Sequence, residues 1–309
     1  MRYKYVIILS IVAFAAVLCS PTAGFASILD TADDFAVLAG TPDITNTGST
    51  TITGDVGISP AASITGKGPG ANQITLTGAY HEADAVALTA KNDLTAAYTA
   101  LNLMPATQTL VSNELGGLTL TSGVYNFSGN PATVLLTAGA GVLTLDAQNN
   151  NNAFWVFQIP NALTTSVGSS VIVTNFGSNG GNDDGLFWTV GSSAALFGST
   201  SFEGNILALT SITLDNSATI LNGRALARNG DVTMDTNTIS NVCPIGGPGN
   251  GGPGYSGGLS FDNEGNIVPV GPSQGGGGPV VPEPATMLLF GLGGVATAFT
   301  SKTRRIHLS

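Results

Sequence analysis

An internal repeat between residues 187 and 240 constrains the fold more than any other feature of the sequence. Residues 204–209 align with residues 223–228 at a shift of 19 positions, and Phe187-Trp188 precedes Ile206-Leu207 by the same distance. Further matches follow at steps of 18 to 20 residues: 211–214 with 231–234, and Phe202 with Ile220 and Ile239. A unit this short cannot hold a helix and a strand, but it fits three short strands and three corners. The sequence therefore predicts a β-solenoid whose coils stack about 4.7–4.9 Å apart.

Each coil contains three strand positions, and two of them differ clearly in composition. The first position is apolar on both sides of the strand, in residues 155–159, 186–190 and 206–209. Strands of that composition are covered on both faces, so another element is expected to pack on this side of the solenoid. The third position has the composition of an ordinary solvated face, in residues 171–174, 201–203, 219–220 and 238–239.

The second strand position alternates strictly between apolar and small polar residues. One side of the strands holds Ile212, Leu214, Val232 and Met234, and the other side holds Ser211, Thr213, Asp231 and Thr233. Upstream, the same outward row is predicted to contain Ser193 and Ala195, and before them Ala162 and Thr164. Threonine and serine in such a row are also common as solvent-tolerant strand residues, so the alternation alone leaves its role open.

One long helix is predicted at residues 79–103. Its apolar positions recur at alternating steps of four and three and form one narrow stripe: Ala83, Ala87, Ala90, Leu94, Ala97 and Leu101. Glu82 and Asp84 lie in its first turn, where the helix dipole favours acids, and Pro105 ends it. Because an alanine-rich stripe allows close packing on a flat surface, we expect this helix to cover the doubly apolar strands.

The charge balance argues against a nucleic-acid partner. The chain has 309 residues, of which 43% are hydrophobic and only 9% charged, and its formal net charge is −10. Phosphate binding needs clustered lysine and arginine. Between Ser27 and Cys243 the only basic residues are Lys67, Lys91, Arg224 and Arg228.

The N-terminal segment is predicted to be a signal peptide and the middle of the chain a single domain. Residues 1–26 contain two basic residues, an apolar run and a small-residue pattern ending at Ala26, which is typical of a secretory signal cleaved there. A lipoprotein signal that uses Cys19 is the weaker alternative, because Leu18 is bulky where such signals have a small residue. Residues 27–243 form the predicted solenoid domain, and with Cys19 removed no internal disulfide is expected.

The composition changes after Cys243. Residues 244–280 are largely Gly and Pro and are predicted to be a flexible linker. Residues 281–309 contain Pro282-Glu283-Pro284, an apolar run and then Lys302, Arg304 and Arg305. The apolar run, 285–299, has 15 residues, whereas a stable membrane span needs about 17–25. The basic residues after it fit a cytoplasmic stop.

No catalytic or metal-binding arrangement is predicted, and no cofactor. A polysaccharide lyase or glycosidase needs paired carboxylates in a groove, and Asp183-Asp184 is the only adjacent acidic pair after the helix. It lies in a Gly- and Asn-rich insertion, residues 175–185, where a solvated corner is the simpler interpretation and a calcium site the alternative. His81 is the only histidine between residues 27 and 243, so neither a histidine-based zinc site nor a Ser-His-Asp triad is easily assembled.

Several blocks of the domain resemble the bacterial and fungal ice-binding family also known as DUF3494. They are, in chain order, residues 35–40 (FAVLAG), 44–48 (ITNTG), 53–60 (TGDVGISP), 154–159 (FWVFQI), 204–214 (GNILALTSITL) and 222–227 (NGRALA). The resemblance implies a right-handed β-helix of triangular cross-section with a long helix alongside, and ice binding through one flat face. The sequence departs from the family pattern in the longer corner at 175–185 and in Asp231, a charge on the expected face.

With this resemblance, the outward row becomes the candidate ice-binding site. Its predicted members are Thr41, Thr45, Ala162, Thr164, Ser193, Ala195, Ser211, Thr213, Asp231 and Thr233. The competing hypothesis is a matrix or adhesion solenoid that binds extracellular polysaccharide. Aromatic residues on the exposed face would favour this hypothesis, but the predicted row contains no aromatic residue. A monomer is expected.

The C-terminus resembles a PEP-CTERM sorting signal with Pro282-Glu283-Pro284 as its motif. That resemblance implies export, recognition by an exosortase-like membrane protease, and delivery to the cell envelope or an extracellular polymer matrix.

Overall fold

The computed structural model describes residues 27–68, 70, 72–128, 133–137, 141–242, 255–261 and 266–269. These residues form the predicted β-solenoid, in which three parallel sheets enclose a core and one long helix packs on the outside of one sheet. A short 3-10 helix (Asp30–Asp34) precedes the first strand. The predicted signal peptide (1–26) and sorting segment (281–309) lie outside the described residues.

Sheet A has nine strands and contains the doubly apolar strand position. In spatial order it consists of β6 (Tyr80–Glu82), β4 (Asp55–Ile58), β1 (Phe35–Ala39), β21 (Ala225–Ala227), β18 (Asn205–Ala208), β15 (Gly185–Val190), β12 (Phe154–Ile159), β9 (Gly123–Phe127) and β7 (Gln108–Leu110). Every residue of β1, β15, β18 and β21 is buried. As predicted, these strands are covered on their outer side by a helix: the buried stripe of helix α1 (Ala85–Leu103) packs on the outer side chains of this sheet.

Sheets B and C form the other two sides. Sheet B has six strands, in the order β10 (Thr133–Leu136), β13 (Ala162–Thr165), β16 (Ala194–Leu196), β19 (Ile212–Leu214), β22 (Val232–Met234) and β2 (Ile44–Asn46). Sheet C has eight strands, in the order β5 (Ile74–Thr77), β3 (Thr50–Thr53), β23 (Thr238–Ser240), β20 (Thr219–Leu221), β17 (Ser201–Glu203), β14 (Ser170–Thr174), β11 (Val142–Asp146) and β8 (Thr119–Thr121).

The order of coils in space differs from their order in the chain. The N-terminal coils stack on the last coil of the repeat, with β1 beside β21, β2 beside β22 and β3 beside β23. Helix α1 then carries the chain along sheet A, and the solenoid resumes at its far edge with β7 and β9. At about 1.5 Å per residue, the 19 residues of α1 extend for about 28 Å. The last repeat is therefore an interior coil, covered on both sides.

Helix α1 begins later than predicted. Residues 80–82, predicted as its first turn, form β6 instead and pair with β4. Asp84 is the N-cap, and its carboxylate accepts a hydrogen bond from the Ala87 amide at 2.8 Å. Ala83 lies in the turn before the cap with a φ of +51°, so it is not part of the apolar stripe.

A buried lysine connects helix α1 to the solenoid. Lys91 lies within the apolar stripe of α1 and is buried. Its ammonium donates to the carbonyl oxygens of Ala227 and Arg228 at the end of β21. Burial, with the nearby Arg228 charge, lowers the pKa of Lys91 to about 7. The Arg228 guanidinium in turn lies 4.6 Å from the centre of the Tyr98 ring on the same helix, a cation–π contact.

Aromatic side chains from successive coils stack inside the solenoid. The rings of Tyr125 and Phe157 are 5.4 Å apart, those of Phe157 and Trp188 are 4.1 Å apart, and those of Trp188 and Phe202 are 5.0 Å apart. The first three residues are in register on β9, β12 and β15. The stack ends at Trp188 along this row, because the next in-register residues on β18 and β21 are Ile206 and Ala225.

The predicted flexible linker is partly ordered, so this prediction was wrong for residues 255–261 and 266–269. These residues, called the strap below, contain an antiparallel hairpin of β24 (Leu259–Phe261) and β25 (Ile267–Pro269). Tyr255, Ser256 and Leu259 are buried against the solenoid. Composition failed to predict this because two apolar residues, Tyr255 and Leu259, which reach separate packing sites, have little weight in a Gly- and Pro-rich segment.

Candidate functional site

The outward side chains of sheet B form two columns in register. The first column runs through Thr164, Ala195, Thr213, Thr233 and Thr45, each paired with the next across neighbouring strands. Leu135 continues it at one end. At the other end a bridge between Ile44 and Ile64 places Thr65 beside Thr45. The structure thus brings together five predicted site residues at the spacing of one strand.

The second column lies two residues earlier on each strand, beside the corner between sheets A and B. Continuing the same registers, it contains Ala162, Ser193, Ser211 and Asp231, with Thr133 before them and Asp43 after them. Asp43 and Thr65 were missed by the sequence analysis, because the N-terminal coils lie outside the repeat and their stacking partners could not be inferred.

Thr41 does not belong to either column, although it was predicted as a site residue. It lies in the corner between β1 and β2, where its hydroxyl donates to the Asn229 carbonyl oxygen at 3.1 Å. The amide of Thr41 donates to the same oxygen at 3.0 Å. Thr41 therefore joins two corners of the solenoid and stands at the margin of sheet B.

The columns are held rigidly from behind. The inward residues that alternate with them, Leu163, Ala194, Ile212, Val232 and Ile44, are each at most 1% exposed. Threonine has a stiff χ1, and here its backbone is fixed on both sides by the parallel ladder. Side chains of sheet B consequently lose little further freedom when something binds to them.

The carboxylates of sheet B are tied to neighbouring hydroxyls. Asp231 accepts hydrogen bonds from the Ser211 hydroxyl and, at 3.3 Å, from the Thr233 hydroxyl. Asp43, on the next strand, accepts one from the Thr45 hydroxyl at 3.3 Å. Both charges lie in the column beside the A–B corner. The first column, from Thr164 to Thr65, is therefore free of charge.

Sheet C carries a hydroxyl column of its own. It lies on the face that was predicted to be an ordinary solvated one. Its members are Ser170, Ser201, Thr219, Thr238, Thr51 and Thr75. The neighbouring outward column is mixed, because it contains Ile172 and the pair Glu203 and Leu221. Sheet C thus offers one uniform column, whereas sheet B offers two adjacent columns of small groups.

Comparison with known proteins agrees with this architecture. Residues 37–240 match the family model described as ice-binding-like. The chain belongs to this family. An ice-binding protein of Nostoc sp. strain HG1 is 45% identical over 240 residues, which cover 78% of this chain and 83% of that protein. The predicted membership is confirmed.

Solved structures of ice-binding proteins share the fold. One from an Antarctic biological consortium is 38% identical with a TM-score of 0.61, and the match covers 76% of this chain and 96% of that chain. One from the ascomycete Antarctomyces psychrotrophicus is 34% identical with a TM-score of 0.59, covering 69% and 96%. Residues 280–305 match a PEP-CTERM protein-sorting motif, as predicted, and this motif implies secretion with a C-terminal anchor.

The insertion that departs from the family pattern is not a solvated corner throughout. Asp184 is fully buried at its end, and one carboxylate oxygen accepts a hydrogen bond from the Ala153 amide at 2.8 Å. Asp183 instead lies beside Asn179, whose side-chain amide donates to it at 2.9 Å. Among the described residues, no group of three or more His, Cys, Asp or Glu side chains is placed to hold a metal ion.

Burial at the end of the insertion makes the domain sensitive to pH. Burial raises the pKa of Asp184 to about 7, with a further contribution from Asp183, against the lowering effect of the Ala153 amide. The folded state then holds a proton that the unfolded state releases near pH 4, so this stabilisation is complete below about pH 4 and is lost as pH rises to 7. Burial also raises the pKa of Glu203 to about 7. The stabilisation from this group is therefore likewise complete below about pH 4 and lost as pH rises to 7.

We expect Asp184→Asn to flatten the pH dependence of stability. The free energy of unfolding of the parent should fall between pH 4 and 7, with a slope of at most about 1.4 kcal/mol per pH unit for each such group. Urea unfolding of parent and variant at several pH values measures the difference. A variant with the same slope as the parent would show that Asp184 is already ionised in the folded domain at pH 4.

His81 contacts two aspartates near the N-terminus of helix α1. His81 Nδ1 lies 2.8 Å from Asp84 Oδ2, and His81 Nε2 lies 3.4 Å from Asp55 Oδ2. Since Asp84 is also the N-cap of α1, this cluster fixes the turn between β6 and the helix.

In the described ranges, no helix has both the length and the hydropathy that a membrane span requires.

Proposed function

We propose that this protein adsorbs to ice through sheet B and thereby inhibits ice growth and recrystallisation. The observation that carries the proposal is the pair of in-register columns of small hydroxyl and methyl groups on a rigid sheet, in a member of the ice-binding-like family. The site consists of Thr45, Ala162, Thr164, Ser193, Ala195, Ser211, Thr213, Asp231 and Thr233, extended by Thr65 and bounded by Thr41 at the margin.

The chemistry of ice favours such a surface. Ice presents a periodic array of water oxygens without charge, so a binder has to hold water in a regular arrangement. In sheet B the groups repeat about every 4.7–4.9 Å along the rod and about every 6.6–6.8 Å along each strand. A lysine or glutamate would orient water around a charge and remain mobile, whereas threonine is stiff at χ1.

Adsorption comes from many weak contacts made at once. Each hydroxyl or bridging water contributes on the order of 1 kcal/mol or less. Because the columns are already ordered, little entropy is lost when they bind. Adsorbed molecules pin the ice surface, which curves between them and stops growing. No bond is formed or broken in this process, and we propose no enzymatic activity.

The proposed location is the cell envelope or its extracellular matrix. The PEP-CTERM match at residues 280–305 supports export and a C-terminal anchor. We propose an exosortase-like protease as the processing partner, and a domain that acts as a monomer. Cleavage of the signal peptide after Ala26 is part of this proposal.

Ice-affinity partitioning of the exported chain from Ser27 onward tests the function. We expect the protein to be enriched in slowly growing ice, while a soluble protein of similar size and charge is excluded. Exclusion from ice would contradict the proposal and favour polysaccharide binding. The comparisons do not favour that alternative, and Phe197, 41% exposed at the B–C corner, is too isolated to form an aromatic sugar platform.

A further inference from the structure

The strap is docked on the solenoid through main-chain hydrogen bonds. The Leu186 amide donates to the Tyr255 carbonyl oxygen at 2.8 Å, and the Gly257 amide donates to the Asp184 carbonyl oxygen at 3.0 Å. Gly185 and Ser256 form an antiparallel bridge. The strap therefore extends the hydrogen bonding of the solenoid at the place where the insertion joins β15.

Two strap side chains reach separate apolar layers. Tyr255 is 3% exposed and belongs to the core inside the solenoid, together with Trp155 and Trp188. Leu259 is 1% exposed and lies in the layer between sheet A and helix α1, together with Phe187. The Tyr255 carbonyl oxygen also accepts a hydrogen bond from the Asn205 side chain at 2.8 Å.

The fit between strap and solenoid depends on backbone approach. A Cβ atom at Gly257 would lie 2.3 Å from the Asp183 carbonyl oxygen, and a Cβ atom at Gly185 would lie 2.2 Å from the Gly257 carbonyl oxygen. At Gly258 it would lie 2.7 Å from the Ala153 carbonyl oxygen. The two backbones approach this closely because glycine stands on both sides of the contact, and a side chain at Gly257 or Gly185 would force them apart.

The docking position lies opposite sheet B. The strap contacts the first residues of β15 in sheet A, and Tyr255 hydrogen-bonds with Glu203 at the end of β17 in sheet C. It then continues toward the C-terminal end of α1, where Asn266 and Ile267 line a small cavity with Met104. In a three-sided rod, the edge shared by sheets A and C faces away from sheet B.

We propose that the strap fixes the point where the C-terminal sorting segment leaves the domain, so that sheet B faces away from the surface that anchors the protein. This inference uses the proposed function only for the role of sheet B. The docked strap leaves residues 270–281 before the sorting motif, a chain that spans at most about 40 Å. Without docking, the free chain would begin at residue 243 and could span about 130 Å.

Hydrogen exchange tests the docking in the mature chain. We expect the Gly257 amide to exchange slowly in the parent and at least tenfold faster in Leu259→Asp, which places a charge in the layer beneath α1. The matched control is Phe261→Asp, because Phe261 lies on the same strand but is 42% exposed. Exchange of the Gly257 amide at the rate of an unprotected peptide in the parent would overturn the proposal, as would equal rates in the two variants.

Capture of ice by immobilised protein tests the orientation. The mature chain is biotinylated at Ser273→Cys in a Cys243→Ser background and bound to a streptavidin surface. While the strap is docked, sheet B faces the ice. In Leu259→Asp the domain can turn any of its three sides to the ice, so we expect ice capture to be about three-fold slower than in the parent. Phe261→Asp should capture ice as the parent does. Equal capture by Leu259→Asp and the parent would overturn the orientation.

Thermal hysteresis in solution separates the two proposals. Leu259→Asp should keep the solution activity of the parent, since sheet B is distant from the strap. If the parent has no activity in solution, the proposed function fails, and hydrogen exchange alone then decides whether the strap is docked. If only the variant loses solution activity, the strap supports the fold of sheet B and the orientation proposal is overturned.

Discussion

Replacing Thr213 by Tyr is expected to abolish thermal hysteresis while leaving the solenoid folded. Thr213 lies in the middle of the uncharged column, between Ala195 and Thr233. A tyrosine ring there projects beyond its neighbours and lifts the whole sheet from a flat crystal surface. Because adsorption needs many weak contacts made together, losing flatness at one central position removes most of them.

The matched control is Thr219→Tyr. Thr219 belongs to the same coil and also lies in a hydroxyl column, but on sheet C. We expect this variant to retain the activity of the parent, and circular dichroism to show the same fold in all three proteins. Loss of activity in Thr219→Tyr with full activity in Thr213→Tyr would move the ice-binding surface to sheet C.

Replacing Arg224 by Met is expected to destabilise the domain by about 3–5 kcal/mol, because the Asp33 carboxylate and the buried Asn205 side-chain oxygen lose their charged partner. Arg224 is 1% exposed and pairs with the Asp33 carboxylate at 2.8 Å. It also donates to the Asp33 carbonyl oxygen at 2.8 and 2.9 Å and to the Asn205 side chain at 2.7 Å. These contacts join the start of the folded chain to its last repeat.

Urea unfolding of a double-mutant cycle measures this contribution. Asp33→Asn in the Arg224→Met background should cost less than Asp33→Asn in the parent, since the charge has already lost its partner. Additive effects of the two substitutions would contradict a direct interaction. The same measurement shows whether the N-terminal coils unfold together with the repeat.

Much of the fold could be predicted because a solenoid repeats its chemistry. The spacing of 19 residues between Gly204 and Gly223 is the length of one coil, and the in-register pairs of β18 and β21 follow from it. The alternation around Thr213 and Thr233 likewise identified sheet B and its outward side. Local patterns sufficed here because each strand pairs with its counterpart one repeat away.

The remainder depends on contacts between distant parts of the chain. The position of Thr45 beside Thr233 follows from the N-terminal coils stacking on the last repeat, which no repeat spacing reveals. Asp184 was predicted as a solvated corner residue, but the core and the docked strap bury it. The strap itself depends on two apolar residues, Tyr255 and Leu259, and on close glycine contacts. Hydrophobic periodicity cannot detect a contact of that kind.

Magnetisation transfer from ice protons to protein methyl groups in frozen solution tests the central claim most directly. Sheets B and C each carry threonine methyls on comparable strands, so each serves as the control for the other. If sheet B contacts ice, transfer to the methyls of Thr164, Thr213 and Thr233 should be strong, and transfer to those of Thr219, Thr238 and Thr51 should be weak. Equal transfer to both sets, or stronger transfer to sheet C, would contradict the account.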